Sequence, residues 1–377
     1  MKSVPWVFHP FEMAFVGYKD TGKTTLLAAL AASLGREGFR VGYLKHDAHG
    51  FQLDRPGKDT DVLARAGAAL VAISDRDRQA VLRRSPGDPI RNLDLLEPDL
   101  LLVEGHKNLR LPRIALLDPA GSILSDPALL DHPPLAVVHP GGCPALPWDV
   151  PRLHRDDLEG IGRFVRQAWA ARAAAVPLYG VVLTGGRSTR MGRDKAGLET
   201  GGRTQADRTF RMLEAACARV FVSCRAEQAG WPGRCGRPQV HDILLDHGPV
   251  GGILSAFHAF PGAAWLVAAC DLPCLTGADL ARLCEGRNPY RFATAFRGHQ
   301  GRPEPLCAIY EPKSRARLWQ GLAAGRPCPS DFLAHSPVAL LEGAGQALRD
   351  ADTPEELEAA LRAWTGSQGG PPATGPA

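Results

Sequence analysis

Gly180-Val-Val-Leu-Thr-Gly-Gly-Arg-Ser-Thr-Arg-Met-Gly-Arg-Asp-Lys195 runs from an apolar strand through a glycine-rich turn to a basic residue. Glycines let a backbone come close to phosphates, and the N–H groups that follow can face them. A second stretch with related logic stands far upstream: Phe15-Val-Gly-Tyr-Lys-Asp-Thr-Gly-Lys-Thr-Thr25. The upstream stretch suits a triphosphate held at a helix N-terminus. The later one suits a nucleotide activated for transfer. Together they predict two nucleotide-handling modules, and the rest of the chain is consistent with that.

The chain has 377 residues, too many for one typical domain. Its 45% hydrophobic and 22% charged content is that of ordinary globular protein. A net charge of +4 is spread out, with no basic run of the kind nucleic-acid binding leaves. No apolar stretch approaches the ~18 residues of a membrane span, and the start lacks a signal-peptide pattern. The nine cysteines are scattered without a CxxC pair, which predicts reduced thiols in a cytosolic setting and gives no support to structural zinc.

Residues 11–155 read as alternating strands and helices. Short apolar runs at Met13–Gly17, Arg40–Leu44, Leu100–Val103, Ile114–Leu117 and Leu135–Val138 suit buried parallel strands. Helical stretches fall between them, at Lys23–Gly35 and Thr60–Ala69. A helical linker is expected over 156–177, and the pattern restarts at Tyr179–Leu183. Strands follow at Arg219–Ser223, Trp265–Ala269, Ala293–Phe296 and Leu306–Tyr310, so the second domain spans 178–362. The tail 366–377 is rich in Gly, Pro, Ser and Thr and reads as disordered. The fold class is therefore α/β: an N-terminal P-loop NTPase domain with helices on both faces of a parallel sheet, then a Rossmann-like nucleotidyltransferase domain.

In the first domain, Gly17-Tyr-Lys-Asp-Thr-Gly22-Lys23-Thr24 fits G-x-x-x-x-G-K-[ST]. Gly17 and Gly22 let the loop wrap, Lys23 reaches the β/γ-phosphates, and the Thr24 hydroxyl sits on magnesium. Glu104 ends the apolar run Leu100–Val103 and is the expected magnesium-facing carboxylate. Lys45, His46, Asp47 and His49 follow the second strand, on the side where open parallel sheets bind ligands. These pieces, with Asp54-x-Pro-Gly-Lys-Asp-Thr60, Ala66-Gly-Ala68 and Leu102-Val-Glu-Gly-His-Lys107, resemble the molybdopterin-guanine dinucleotide biosynthesis adaptor (MobB) family over nearly all of residues 11–170. The resemblance implies GTP binding with weak hydrolysis, an accessory role beside a guanylyltransferase, and phosphate contacts at Gly22, Lys23, Thr24 and Thr25.

In the second domain, Gly185 and Gly186 permit close approach to a triphosphate. Arg187 and Arg190 neutralise charge, and Lys195 stabilises charge building on the α-phosphoryl group and the leaving pyrophosphate. Asp271, in Cys270-Asp-Leu-Pro273, is a strand-end carboxylate placed to hold magnesium. Asp246-His-Gly-Pro-Val-Gly-Gly-Ile253 adds a glycine turn that opens a helix. With Glu304-Pro-Leu-Cys-Ala-Ile-Tyr310 and Asp352-Thr-Pro-Glu-Glu-Leu357, these residues resemble the molybdenum cofactor guanylyltransferase (MobA) family over 178–362.

That resemblance implies nucleotide contacts at Leu183, Thr184, Gly185, Lys195, Ser223, Asp242 and Asp271, with Mg2+ on Asp271. It also implies GTP and Mo-molybdopterin as substrates, and molybdoenzymes with other molybdenum-cofactor proteins as partners. Two departures stand out: Thr184 replaces a small apolar residue of the usual Leu-Ala-Gly-Gly, and Ser223 stands where some relatives have Asn. The Gly185-Gly186 pair with Asp194-Lys195 favours the guanylyl branch. Two other readings stay open from the residues alone: a cytidylyl or other nucleotidyltransferase with an attached P-loop regulator, and a non-catalytic GTP-dependent delivery module.

Overall fold

A computed structural model describes residues 6–45, 57, 61–62, 66, 70–74, 78–83, 93–184, 194–200, 202–298, 301–342 and 348. The chain forms two compact units, Trp6–Val165 and the part from Arg166 onward. The division falls inside the helix Leu158–Ala174, the stretch that reads as a linker in the sequence. Ile161, Val165 and Trp169 are buried at four-residue spacing along this helix.

The first unit carries β1 (Glu12–Val16), β2 (Val41–Lys45), β3 (Leu70–Ser74), β4 (Gln79–Arg83), β5 (Leu100–Glu104), β6 (Arg113–Leu116), β7 (Ala136–His139) and β8 (Arg152–His154). Among the described residues, six strands form one parallel sheet in the order β2-β5-β1-β6-β7-β8. Every residue of β1, β5 and β6 is buried, as strands covered on both faces require, and the charged residues Glu12, Glu104 and Arg113 stand at their ends. Ala14, Leu101 and Val103 join one apolar cluster, and Val16, Ala115 and Val137 join another. From β1 the chain runs outward to β2 and returns through β5. It then passes β1 to reach β6, so β1 marks the switch point where such sheets bind ligands. The helix Lys23–Arg36 starts immediately beyond β1 and buries Leu26, Leu27, Leu30 and Leu34.

The second unit carries β9 (Leu178–Leu183), β10 (Glu199–Thr200), β11 (Arg203–Thr204), β12 (Arg219–Cys224), β13 (Gln239–His241), β14 (Ala264–Ala269), β15 (Ala293–Arg297), β16 (Pro303–Tyr310) and β17 (Val338–Leu341). The larger sheet has the order β13-β12-β9-β14-β16-β15-β17, with β16 antiparallel to both neighbours. Here β9 is the switch: β12 and β13 lie to one side of it and β14 to the other. At the amino ends of β9, β12 and β14, Tyr179, Phe221, Phe260 and Trp265 pack with ring centroids 5.1–6.1 Å apart. That aromatic plug fills one end of the sheet and leaves the carboxyl ends for ligands.

The five strands expected in each domain are present, with ends shifted by a residue or two except in β16, which starts three residues early at Pro303. Others were not foreseen: β8, β13 and β17 are short edge strands, and β3 pairs with β4 in a separate antiparallel ribbon. The Thr60–Ala69 helix lies mostly outside the described residues. So do the loop residues His46, Asp47 and His49, the segment opening at Thr353, and the tail 366–377.

Candidate functional site

At the carboxyl end of β1 the chain turns through Gly17 to Gly22. A Cβ at Gly17 would stand 2.8 Å from both the Leu116 carbonyl oxygen and Thr21 Oγ1, so only glycine fits between β1 and β6. Gly22 caps the helix with φ +77, a conformation that glycine adopts freely. Thr24 and Thr25 are exposed in the first turn of that helix. Thr24 Oγ1 donates to Glu104, 3.1 and 3.2 Å from the two carboxylate oxygens, although 80 residues separate the pair. Lys23 Nζ lies 2.6 Å from the Tyr18 carbonyl oxygen, folded back on its own loop. Burial lowers the Lys23 ammonium pKa against the pull of Glu104, and Lys45 adds to the lowering.

Sequence reasoning missed two groups here. The Tyr43 hydroxyl donates to Glu104 at 2.6 Å, and burial together with that carboxylate raises its pKa. Asp126 accepts from Lys107 at 2.7 Å and from the Tyr18 hydroxyl at 3.2 Å, so one carboxylate ties the phosphate loop to the loops after β5 and β6. Neither role has a local signal, because each partner is distant in sequence.

In the second unit, strand register builds the site. Leu183 pairs with Ser223 on one side and with Ala269 on the other, so residues at the carboxyl ends of β9, β12 and β14 form one row. A cavity of about 360 Å³ opens there, lined by all three together with Arg225, Asp242, Asp246, Gly248, Gly252 and Asp271. The helix Gly248–Ala259 starts at its wall. A Cβ on Gly252 would stand 2.6 Å from Ser223 Oγ and 2.8 Å from Leu183 Cδ2, so the glycine permits that helix to seat against the strand row.

Ser223 Oγ donates to Asp242 Oδ1 at 2.6 Å, and Arg225 Nη2 donates to Asp246 Oδ1 at 2.6 Å. Thr184, just past β9, is buried. Its backbone N–H and its hydroxyl both donate to the Ser223 carbonyl oxygen, at 3.0 and 2.8 Å. The loop after Asp271 is anchored by Arg208, which donates to the Pro273 and Leu275 carbonyl oxygens. Cys270, next to Asp271, is buried, and that burial pushes its thiol up to about 12, so it is no nucleophile at neutral pH.

The expected nucleotide contacts Leu183, Thr184, Ser223, Asp242 and Asp271 thus gather at one end of the sheet. Gly185, Gly186, Arg187 and Arg190 lie outside the described residues. Lys195 begins the short turn Lys195–Gly197 directly after Asp194. The residues missed are Arg225 and Arg208, whose partners are distant in sequence.

Burial raises the Asp242 carboxyl pKa, more than the Ser223 hydrogen bond and Arg225 lower it. A carboxyl with a raised folded pKa binds its proton more tightly folded than unfolded. Its stability contribution is therefore greatest below the ordinary value of 3.8 and is lost as pH rises through the folded value. Asp242→Asn is expected to melt above the wild type at neutral pH, with the gap closing on acidification toward 3.8. Thermal melts across pH check this, and a gap that widens in acid contradicts it.

These geometries define a chain of two α/β units, each with its candidate site at a sheet switch point. Residues 180–336 match the MobA-like NTP transferase domain family, and residues 13–137 match molybdopterin guanine dinucleotide synthesis protein B. The chain is 34% identical to the molybdopterin-guanine dinucleotide biosynthesis adapter protein of Escherichia coli, over 41% of this chain and 90% of that one. It is 37% identical to the probable molybdenum cofactor guanylyltransferase of Opitutus terrae, over 43% and 80%. It is also similar to a molybdenum cofactor biosynthesis bifunctional protein of Synechocystis sp., at 34% identity over 46% of this chain, and spans half of that protein's length. The chain belongs to both families, an adaptor-type unit followed by a transferase-type unit.

Among the described residues, no helix is long and apolar enough to cross a membrane.

Proposed function

We propose that the chain is a molybdenum cofactor guanylyltransferase with a GTP-binding adaptor unit fused ahead of it. It transfers GMP from GTP to Mo-molybdopterin, giving molybdopterin guanine dinucleotide and pyrophosphate. The observation that carries this reading is the row Leu183, Ser223, Ala269, which lines one cavity together with Asp242 and Asp271 in a MobA-like unit.

A terminal phosphate oxygen of the pterin attacks the α-phosphorus of GTP. The new P–O bond forms as the bond to the β-phosphate bridging oxygen breaks, and pyrophosphate leaves with the electron pair. Such a reaction needs position and charge neutralisation rather than a side-chain nucleophile, which suits the protonated Cys270. The cavity walls at Leu183 and Gly252 hold the nucleoside, Asp242 and Ser223 offer polar contacts, and the N-terminus of the helix Gly248–Ala259 favours anions. Lys195 and Arg190 keep the charge-stabilising roles read from sequence.

Mg2+ fits the donors present. Asp271 gives one hard carboxylate oxygen at the cavity, and among the described residues no cluster of three His, Cys, Asp or Glu side chains competes to cage a metal. Mg2+ characteristically takes one or two carboxylates plus phosphates and water. When bound it supplies charge neutralisation at the triphosphate. In the first unit the adjacent Thr24 hydroxyl and Glu104 carboxylate fit the same ion.

The first unit binds GTP on Gly17, Gly22, Lys23, Thr24 and Thr25 and hydrolyses it weakly. The setting is the cytosol, and molybdoenzymes receive the product. GTP is expected to support pyrophosphate release with Mo-molybdopterin better than CTP or ATP, on the ground of Gly185-Gly186 with Asp194-Lys195. Direct competition among the three nucleotides tests this, and CTP as the better substrate would sink the guanylyl assignment.

A further inference from the structure

Arg234 is fully buried and belongs to none of the motifs that identify the site. Its guanidinium reaches both residues that flank the glycine-rich segment 185–193. Toward Thr184, Nε donates to Oγ1 at 2.9 Å and Nη2 to the carbonyl oxygen at 2.6 Å. Toward Asp194, Nη1 donates to Oδ2 at 2.5 Å and Nη2 to Oδ1 at 2.9 Å. A planar fork with donors on several edges can make both contacts at once, which a lysine ammonium on a flexible stem cannot.

The rest of the molecule holds that fork in place. The Arg234 carbonyl oxygen accepts from Gln239 Nε2 at 2.9 Å, which ties it to β13. Gly233 adopts φ +78, and a Cβ there would stand 2.8 Å from Thr204 Oγ1 and 3.1 Å from the Ala196 carbonyl oxygen. The arginine's segment is therefore pressed against the turn that begins with Lys195. Thr184 in turn connects through the Ser223 carbonyl to β12, whose Ser223 hydroxyl reaches Asp242. One buried cation thus joins the exit of β9, the start of the Lys195 turn and the cavity wall. This also accounts for threonine at 184: its hydroxyl accepts from Arg234 and donates to Ser223, a pair of bonds that alanine cannot make.

We propose that Arg234 is a positioning residue that fixes Thr184 and Asp194 relative to one another, and so sets the place of Lys195 for the transfer step. The proposal rests on the guanylyltransferase reading for its catalytic arm only.

The test compares the wild-type full chain with Arg234→Lys, Asp194→Asn and the double variant. Three readouts are used: transfer kinetics with GTP and Mo-molybdopterin, thermal melting, and hydrogen exchange of the segment 194–198. A melt above the assay temperature shows that a variant is folded. Folded Arg234→Lys is expected to lose at least about thirtyfold in kcat, with KM for GTP changed less than about threefold, since the change strikes a group that acts mainly as charge develops. Exchange over 194–198 should quicken at least about tenfold while β14 is unchanged. The double variant should be no more than about threefold worse than the worse single one, as for two residues acting through one contact.

The proposal is overturned if folded Arg234→Lys keeps kcat within about threefold of wild type, if exchange over 194–198 is unaltered, or if the two losses multiply. Should Arg234→Lys not fold, Asp194→Asn is read by the same criteria, because it cuts the same bridge from the more exposed side. A wild-type chain without transfer activity defeats the guanylyltransferase reading instead. Exchange alone then decides whether Arg234 fixes the turn.

Discussion

Asp271→Asn is expected to lower guanylyl transfer at least about a hundredfold, comparable with removing one charge-stabilising group from other enzymes. The substitution keeps the shape of the side chain and removes its charge. Asp271 follows the fully buried strand β14, and Arg208 pins the loop beyond it through two carbonyl oxygens, so the backbone has little reason to move. The loss should therefore appear with an unchanged melt. Steady-state pyrophosphate release at saturating GTP, over a series of Mg2+ concentrations, checks it. If Asp271 holds Mg2+, the variant also needs more of the ion for half-maximal rate. A rate within tenfold of wild type contradicts the assignment.

Lys23→Ala is expected to abolish GTP hydrolysis in the first unit and to weaken nucleotide binding there. The motif makes Lys23 the cation of the phosphate loop, and its ammonium lies 2.6 Å from the Tyr18 carbonyl oxygen, on the loop that would wrap the phosphates. Burial also lowers its pKa, so part of the cost of taking the ammonium out of water stays uncompensated, and a phosphate beside it would offset that cost. GTP titration of the full chain checks this independently of turnover: two sites in the wild type, with the first-unit site lost or weakened at least about tenfold in the variant. An unaltered two-site titration contradicts the role given to Lys23.

Much of this was legible because it is written locally. The runs that became β1, β5, β9 and β14 are apolar and short, which suits strands covered on both faces, and their ends carry the glycines and carboxylates. Glu104 and Asp271 could be placed because each follows such a run, whereas Ser223 and Asp242 were placed by the family resemblance alone. The unforeseen strands are another matter. β8 is a three-residue strand that follows Pro151, and β13 and β17 are three and four residues long at sheet edges, where pairing rather than composition decides.

Long-range polar pairs were also out of reach. Asp194 reads as a marker of the nucleotide branch, yet its carboxylate is held by Arg234, 40 residues away. Thr184 reads as a departure from the usual loop, and only the fold shows its hydroxyl set between Arg234 and Ser223. Tyr43 joins Glu104 across 61 residues through strand register alone.

Two nucleotide sites doing separate chemistry in one chain should respond separately to mutation. GTP hydrolysis and guanylyl transfer are both measured in the wild type, in Lys23→Ala and in Asp271→Asn. A crossed result is expected. Lys23→Ala loses hydrolysis and keeps transfer within about threefold, because transfer is served by Lys195, Asp271 and a different glycine loop, while Asp271→Asn loses transfer and keeps hydrolysis. If Lys23→Ala stops transfer as fully as Asp271→Asn does, the two sites are not independent.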